Sequence, residues 1–223
     1  VRGLFVTGTD TGVGKTEVAC ALVRAARAAG VDAVGMKPAQ SGHVPGEPSD
    51  AERLREASGG VEPLEAICPY TFAAPLAPAA AARLEGREVS LARVVEAARA
   101  LAVRHAAVVV EGAGGLLVPL TERETHADLA AALGLPVLVV ARAGLGTVNH
   151  TALTVEALER RGLAVAGIVL NRTGPEDDPS VPLNAAEIAR LTHREPLALL
   201  PWEPDIARRA RALGSILAAK IQF

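Results

Sequence analysis

Short runs of continuous apolar residues alternate along the chain with longer stretches whose apolar positions recur every three or four residues. The short runs cover residues 4–7, 33–36, 107–110, 137–140, 165–170 and 197–200, and they are built largely of Val and Leu without polar alternation. That pattern predicts strands buried on both faces. The longer stretches predict helices over 15–29, 50–57, 91–103, 126–133, 148–161, 184–191 and 205–219, with Gly30, Gly59, Gly134 and Gly162 closing four of them. Strands separated by helices make a parallel sheet with helices on both faces. The predicted fold class is α/β, doubly wound, with a single domain over 1–223. Periodicity does not order the strands.

Sheets of this kind bind ligands beyond the carboxyl ends of their strands. Glycine and polar residues gather at those ends: 8–16, 37–42, 111–115, 142–149, 171–174 and 201–203. The first segment, Gly8-Thr9-Asp10-Thr11-Gly12-Val13-Gly14-Lys15-Thr16, lies between a strand and a helix. Its glycines let backbone N–H groups turn towards a phosphate at the positive end of the helix. Lys15 is placed to reach the β and γ phosphates and the Thr16 hydroxyl to bind Mg²⁺. The first glycine stands one position early for the strict phosphate-loop spacing. A dinucleotide fingerprint fails further, because Glu17 sits where its third glycine belongs.

Composition sharpens one residue. The chain has 223 residues, 50% of them hydrophobic, and three lysines only, at 15, 37 and 220. Arginine has replaced lysine nearly everywhere else, so a lysine kept inside a motif points to a need for a compact ammonium. Lys37 is followed by Pro38, which holds it extended at the end of its strand. A cation there, facing the same pocket as Lys15, suits a substrate that gains negative charge. Glu111 ends the strand at 107–110 and is followed by the bare backbone of Gly112, Ala113 and Gly114. Asp50 opens a helix, either as its cap or as a second carboxylate. With Thr16, Asp50 and Glu111 offer an oxygen-rich Mg²⁺ shell. Gly146, Thr147, Val148 and Asn149 present free N–H groups to an anion. Asn171-Arg172 and Pro201-Trp202-Glu203 offer an amide and a wall for a nucleotide base. The five histidines have no metal-ligand spacing and receive no catalytic role.

Net charge is −2, with a pI near 6.3, which argues against nucleic acid as a partner. No apolar run nears the roughly 20 residues of a membrane span. The first residues lack a signal-peptide pattern, and Cys20 and Cys68 are too few and too far apart for a disulfide framework. The expectation is a cytoplasmic protein.

The motifs taken in order, 8–16, Lys-Pro-x-x-Ser-Gly at 37–42, Pro-Tyr-Thr-Phe at 69–72, Val-Glu-Gly-Ala-Gly-Gly at 110–115, Gly-x-x-Asn-His within 146–150 and Pro-Trp at 201–202, resemble dethiobiotin synthetase. The early first glycine is that family's own phosphate-loop pattern. The resemblance implies a homodimeric, Mg-ATP-dependent ligase that closes a ureido ring on 7,8-diaminononanoate with CO₂ (or bicarbonate as its source). It assigns Lys15 and Lys37 to the γ-phosphate and carbamate oxygens, and Thr11 and Ser41 to the carbamate or substrate amine. Gly12, Val13, Gly14, Lys15, Thr16 and Glu17 would surround the phosphates, and Thr16, Asp50 and Glu111 would hold Mg²⁺. Asn171, Arg172, Pro201, Trp202 and Glu203 would face the adenine, with Gly112, Ala113 and Gly114 completing the nucleotide site. Gly146 to Asn149 of a second subunit would receive the substrate carboxylate. The alternative is a partitioning or septum-positioning ATPase acting as a nucleotide-gated binding module. Such proteins carry an extra lysine early in the phosphate loop, where this chain has Thr9, Asp10 and Thr11.

Overall fold

The computed structural model describes residues 1–42, 46–203 and 214. The first half runs β1 (Gly3–Gly8), α1 (Lys15–Ala28), β2 (Ala33–Met36), β3 (Gln40–Ser41), α2 (Asp50–Ala57), α3 (Leu64–Ile67), β4 (Thr71–Phe72) and α4 (Pro78–Leu84). The second half runs α5 (Leu91–Arg104), β5 (Ala107–Gly115), α6 (His126–Leu133), β6 (Val137–Arg142), α7 (Thr147–Arg160), β7 (Val165–Asn171), α8 (Val181–Thr192) and β8 (Ala198–Leu200). Six strands form one sheet in the order β2-β5-β1-β6-β7-β8, and every neighbouring pair is parallel.

Successive residues of a strand point to opposite faces. Val108, Val109 and Val110 are all fully buried, and so are Val137 to Ala141, so helices cover both sides of the sheet. Helix α1 packs on β2 and β5 and against α2, α5 lies beside α6, and α7 lies beside α8. This is the α/β, doubly wound class expected from the apolar pattern. The predicted helix at 205–219 falls outside the described residues.

Two local departures matter for the site. The strand expected to end at Glu111 continues to Gly115, because the ladder resumes there. Val6 pairs with Glu111 and Gly8 with Gly115, so two steps of β1 face four steps of β5. The surplus residues form a bulge, a device that re-aims backbone at sheet ends. The second departure is a small sheet. After Lys37 the chain forms β3, which pairs in parallel with β4, the segment carrying the 69–72 motif. Strands of two residues are too short to leave a periodic trace in sequence.

Ser49, rather than Asp50, caps α2. Its hydroxyl accepts from the Glu52 N–H at 3.2 Å, while Glu52 accepts the Ser49 N–H at 2.7 Å. Asp50 is thereby released from capping, as the first helical residue. Helix α8 begins at Val181, three residues before the expected start, with Pro182 in the first turn where a missing N–H costs nothing.

Candidate active site

The loop after β1 delivers Gly14 to the start of α1 in a left-handed conformation, φ 93°. A side chain there would be strained, and its Cβ would collide with the Asn171 amide. Asn171, at the end of β7, donates from Nδ2 to the Val13 carbonyl at 2.9 Å. The end of β7 thus fixes the phosphate loop from behind.

Lys15 Nζ reaches back into that loop and donates to the Asp10 carbonyl at 2.8 Å. Burial lowers the Lys15 pKa, and Lys37 adds repulsion against the opposing pull of Glu111. Lys37 is 3% exposed. Its ammonium lies 2.6 Å from Glu111 Oε1 and 2.8 Å from Asp50 Oδ2, and it also approaches the Gly112 carbonyl at 3.4 Å. Burial alone would lower Lys37, yet the two carboxylates outweigh it and raise its pKa, so the group is charged. Burial alone would raise Asp50, but Lys37 holds it below the ordinary carboxylate range. Glu111 is fully buried and pushed upward by desolvation.

Glu111 Oε1 also accepts the Thr16 hydroxyl at 2.9 Å, whereas Oε2 has no partner among the described residues. A buried carboxylate oxygen without a donor invites a cation. The hydroxyl of Thr16 and the carboxylates of Asp50 and Glu111 form an all-oxygen donor set, which suits Mg²⁺. No group of three or more His, Cys, Asp or Glu arranged to hold a metal ion by themselves is present among the described residues. Mg²⁺ that keeps waters and borrows phosphate oxygens needs none.

These groups share one cavity of about 630 Å³. Its walls include Thr11, Gly12, Gly14, Lys15, Thr16 and Glu17 from the loop and α1, together with Lys37, Ser41, Asp50 and Glu111. Ala113 and Gly114 come from the bulge, and Asn171, Trp202 and Glu203 also line the cavity. Other residues singled out in the sequence lie off this wall. Val13 is buried in the core, and Gly112 is buried too. Arg172 donates to the Glu176 carbonyl at 2.8 Å, and Pro201 is exposed. Gly146, Thr147, Val148 and Asn149 open α7 away from the cavity, and the adjacent Leu145 N–H is already taken by Asp178 at 2.7 Å.

Three further residues on the wall were given no individual role from sequence: Gln40, Arg53 and Thr173. Gln40 Oε1 accepts the Ala51 N–H at 3.0 Å and so ties β3 to the start of α2. Arg53 meets Glu17 at 3.4 Å. Its signal was present, since it follows Asp50 by three residues and shares that helix face. Thr173 lies in the strand-end segment 171–174, and no further signal singles it out there.

The AAA domain family model matches residues 2–210. Over all 223 residues, and the whole of both proteins, the chain is 96% identical to "ATP-dependent dethiobiotin synthetase BioD" of Anaeromyxobacter dehalogenans (strain 2CP-C). A protein of the same name from Aromatoleum aromaticum is 47% identical over 178 residues, 78% of this chain and 79% of that protein. Among solved structures, the Pyrococcus furiosus cell division ATPase MinD superposes with a TM-score of 0.59 at 16% identity, covering 99% of this chain and 98% of that one. A ParA family ATPase from Chlorobium tepidum gives 0.57 at 12% identity, covering 98% and 93%. At such identities the likeness is one of fold alone.

Proposed function

This chain belongs to the ATP-dependent dethiobiotin synthetase family, and from that premise we propose that it carboxylates and cyclises 7,8-diaminononanoate. One amine takes up CO₂ and loses a proton, giving a carbamate. A carbamate oxygen attacks the γ-phosphorus of ATP, expelling ADP and leaving a carbamic–phosphoric anhydride. The second amine attacks the carbonyl carbon, phosphate departs with the C–O bonding pair, and loss of a proton leaves the ureido ring.

The observation that carries this reading is the Lys37 ammonium, 2.6 Å from Glu111 in the cavity that also holds the phosphate loop. Phosphoryl transfer demands alignment and charge stabilisation more than covalent chemistry from the protein. Lys15 leaves the Asp10 carbonyl for the β and γ phosphates, and Lys37 turns from its carboxylates towards the carbamate and transferring phosphoryl oxygens. Thr11 and Ser41 hydrogen-bond the carbamate or the amine. Thr16, Asp50 and Glu111 would hold Mg²⁺, which would supply positive charge to offset that of the phosphates. Asn171, Trp202 and Glu203 form the adenine end. The substrate carboxylate goes to Gly146–Asn149 of a second subunit, which accords with their position off this chain's own cavity.

A coupled assay of ADP release tests the proposal, with diamine and bicarbonate each omitted in turn. ADP is expected only when both are present. Hydrolysis indifferent to the diamine overturns it.

A further inference from the structure

The bulge in β5 poses a problem of backbone accounting. Between Glu111 and Gly115 the ladder with β1 is interrupted, so buried peptide groups there need other partners. The peptide joining Gly112 to Ala113 finds one on each side. Its carbonyl faces Lys37 Nζ at 3.4 Å, and its N–H donates to His126 Nε2 at 3.2 Å. One rigid plane therefore connects an imidazole to the ammonium of the cavity.

His126 is placed for this task. It is the first residue of α6, 0% exposed. The start of that helix is sewn to the segment after the bulge, since the His126 N–H donates to the Val118 carbonyl at 3.3 Å and the Ala127 N–H to Leu116 at 3.0 Å. The ring lies beside Phe5, and a Cβ on Gly112 would press 3.3 Å from Phe5 and 3.5 Å from the imidazole. Burial and the two nearby lysines pull the His126 pKa down to about 3, so the ring is neutral. An accepting Nε2 places the ring hydrogen on Nδ1. That atom is buried without a partner among the described residues. A phenylalanine or leucine would fill the same space with no unsatisfied polar atom, so packing does not explain a histidine here. Its accepting nitrogen does.

We propose that His126 is a positioning residue which clamps the β5 bulge through the Ala113 amide and so holds the Gly112 carbonyl against Lys37. The clamp acts through the peptide and touches no substrate. Its effect on turnover rests on the role of Lys37 proposed above, whereas its effect on the bulge does not.

Three substitutions separate acceptor from volume. Gln in H126Q carries a carbonyl oxygen near the place of Nε2, while H126F and H126L retain bulk and lose the acceptor. The Ala113 amide is expected to exchange its hydrogen slowly in wild type and H126Q, and at least about tenfold faster in H126F and H126L. In the same variants kcat for ring closure falls about tenfold, with KM for ATP little changed, and H126Q restores most of it. Equal exchange and equal kcat in H126F and H126Q overturn the proposal, as does a loss confined to melting temperature. A direct reading uses the unmodified protein. Nitrogen-15 correlation of the imidazole is expected to show the hydrogen on Nδ1, and finding it on Nε2 sinks the clamp even if no variant folds. Should wild type prove inactive towards the diamine, the exchange and imidazole measurements still decide the role of His126.

Discussion

Two clusters of charge occupy opposite edges of the same sheet and join the same strands. At the carboxyl edge Lys37, Asp50 and Glu111 sit beside Thr16, with Glu111 Oε2 left without a donor. At the amino edge, just before β2 and β5, Asp32 pairs with Arg27 at 2.8 Å and with His105 at 2.9 Å. The other nitrogen of His105 meets Glu62 at 2.9 Å, and Glu62 also takes two bonds from Arg104 at 2.7 and 2.9 Å. Each carboxylate of the amino-edge cluster has two side-chain partners, an arginine and a ring nitrogen of His105. In the carboxyl-edge cluster two carboxylates share one ammonium, and the more buried of them keeps an idle oxygen. A closed network rigidifies, while an open one in the interior holds binding capacity in reserve. Similar residues have thus been put to different uses, and the unsatisfied atom tells them apart.

The sharpest way to break the contrast is Lys37→Ala. It is expected to lower kcat by about 10²–10³ with ATP binding largely kept, as on loss of one preorganised charge donor. Lys37→Arg should not restore the full rate, because the fork is larger and differently hydrated. Steady-state kinetics checks both, and unchanged turnover would move Lys37 to the structural class. Next comes Glu111→Gln, which should shift the Mg²⁺ titration about tenfold upward; an unaltered titration makes the open cluster a mere staple.

The opposite edge should respond in stability alone. Glu62→Ala is expected to cost about 1 kcal/mol, lowering the melting temperature by about 2–4 °C with kcat intact. A fall in kcat would mean that the two edges communicate. The smallest effect concerns pH. Hydrogen bonds from His105 hold Asp32 below its ordinary pKa, and those from Arg104 and His105 do the same for Glu62. The contribution of a depressed carboxylate is complete above its unfolded pKa and fades as pH falls through the folded one. Melting scans should therefore show the amino-edge share lost below about pH 4, and Glu62→Ala should flatten that part of the profile.

Much of this was legible in the chain. Continuous Val and Leu at 107–110 and 137–140 announced a sheet covered on both faces, and the glycines and lysines after the strands marked the side on which the cavity lies. Lys37 stood out because lysine is so scarce. The order of strands was not legible, because β5 enters between β1 and β2 and apolar runs carry no record of their neighbours. The bulge was equally hidden, since it depends on the register between two distant segments. His126 left no trace for the same reason. Its partner is a backbone amide of β5, and no side-chain motif encodes that. The helix start at Ser49 could have been read from the Ser-x-x-Glu spacing, which would have released Asp50 from capping at once.

The insertion of β5 has a consequence in time. Lys37 and Glu111 are separated by 74 residues, and Thr16 and Glu111 by 95. Closing such long loops is slow, and no early, locally folded intermediate can contain the ion cluster. A nascent chain on the ribosome stays catalytically mute until β5 has emerged and slid between strands made long before it. In refolding, helical signal should recover well ahead of turnover.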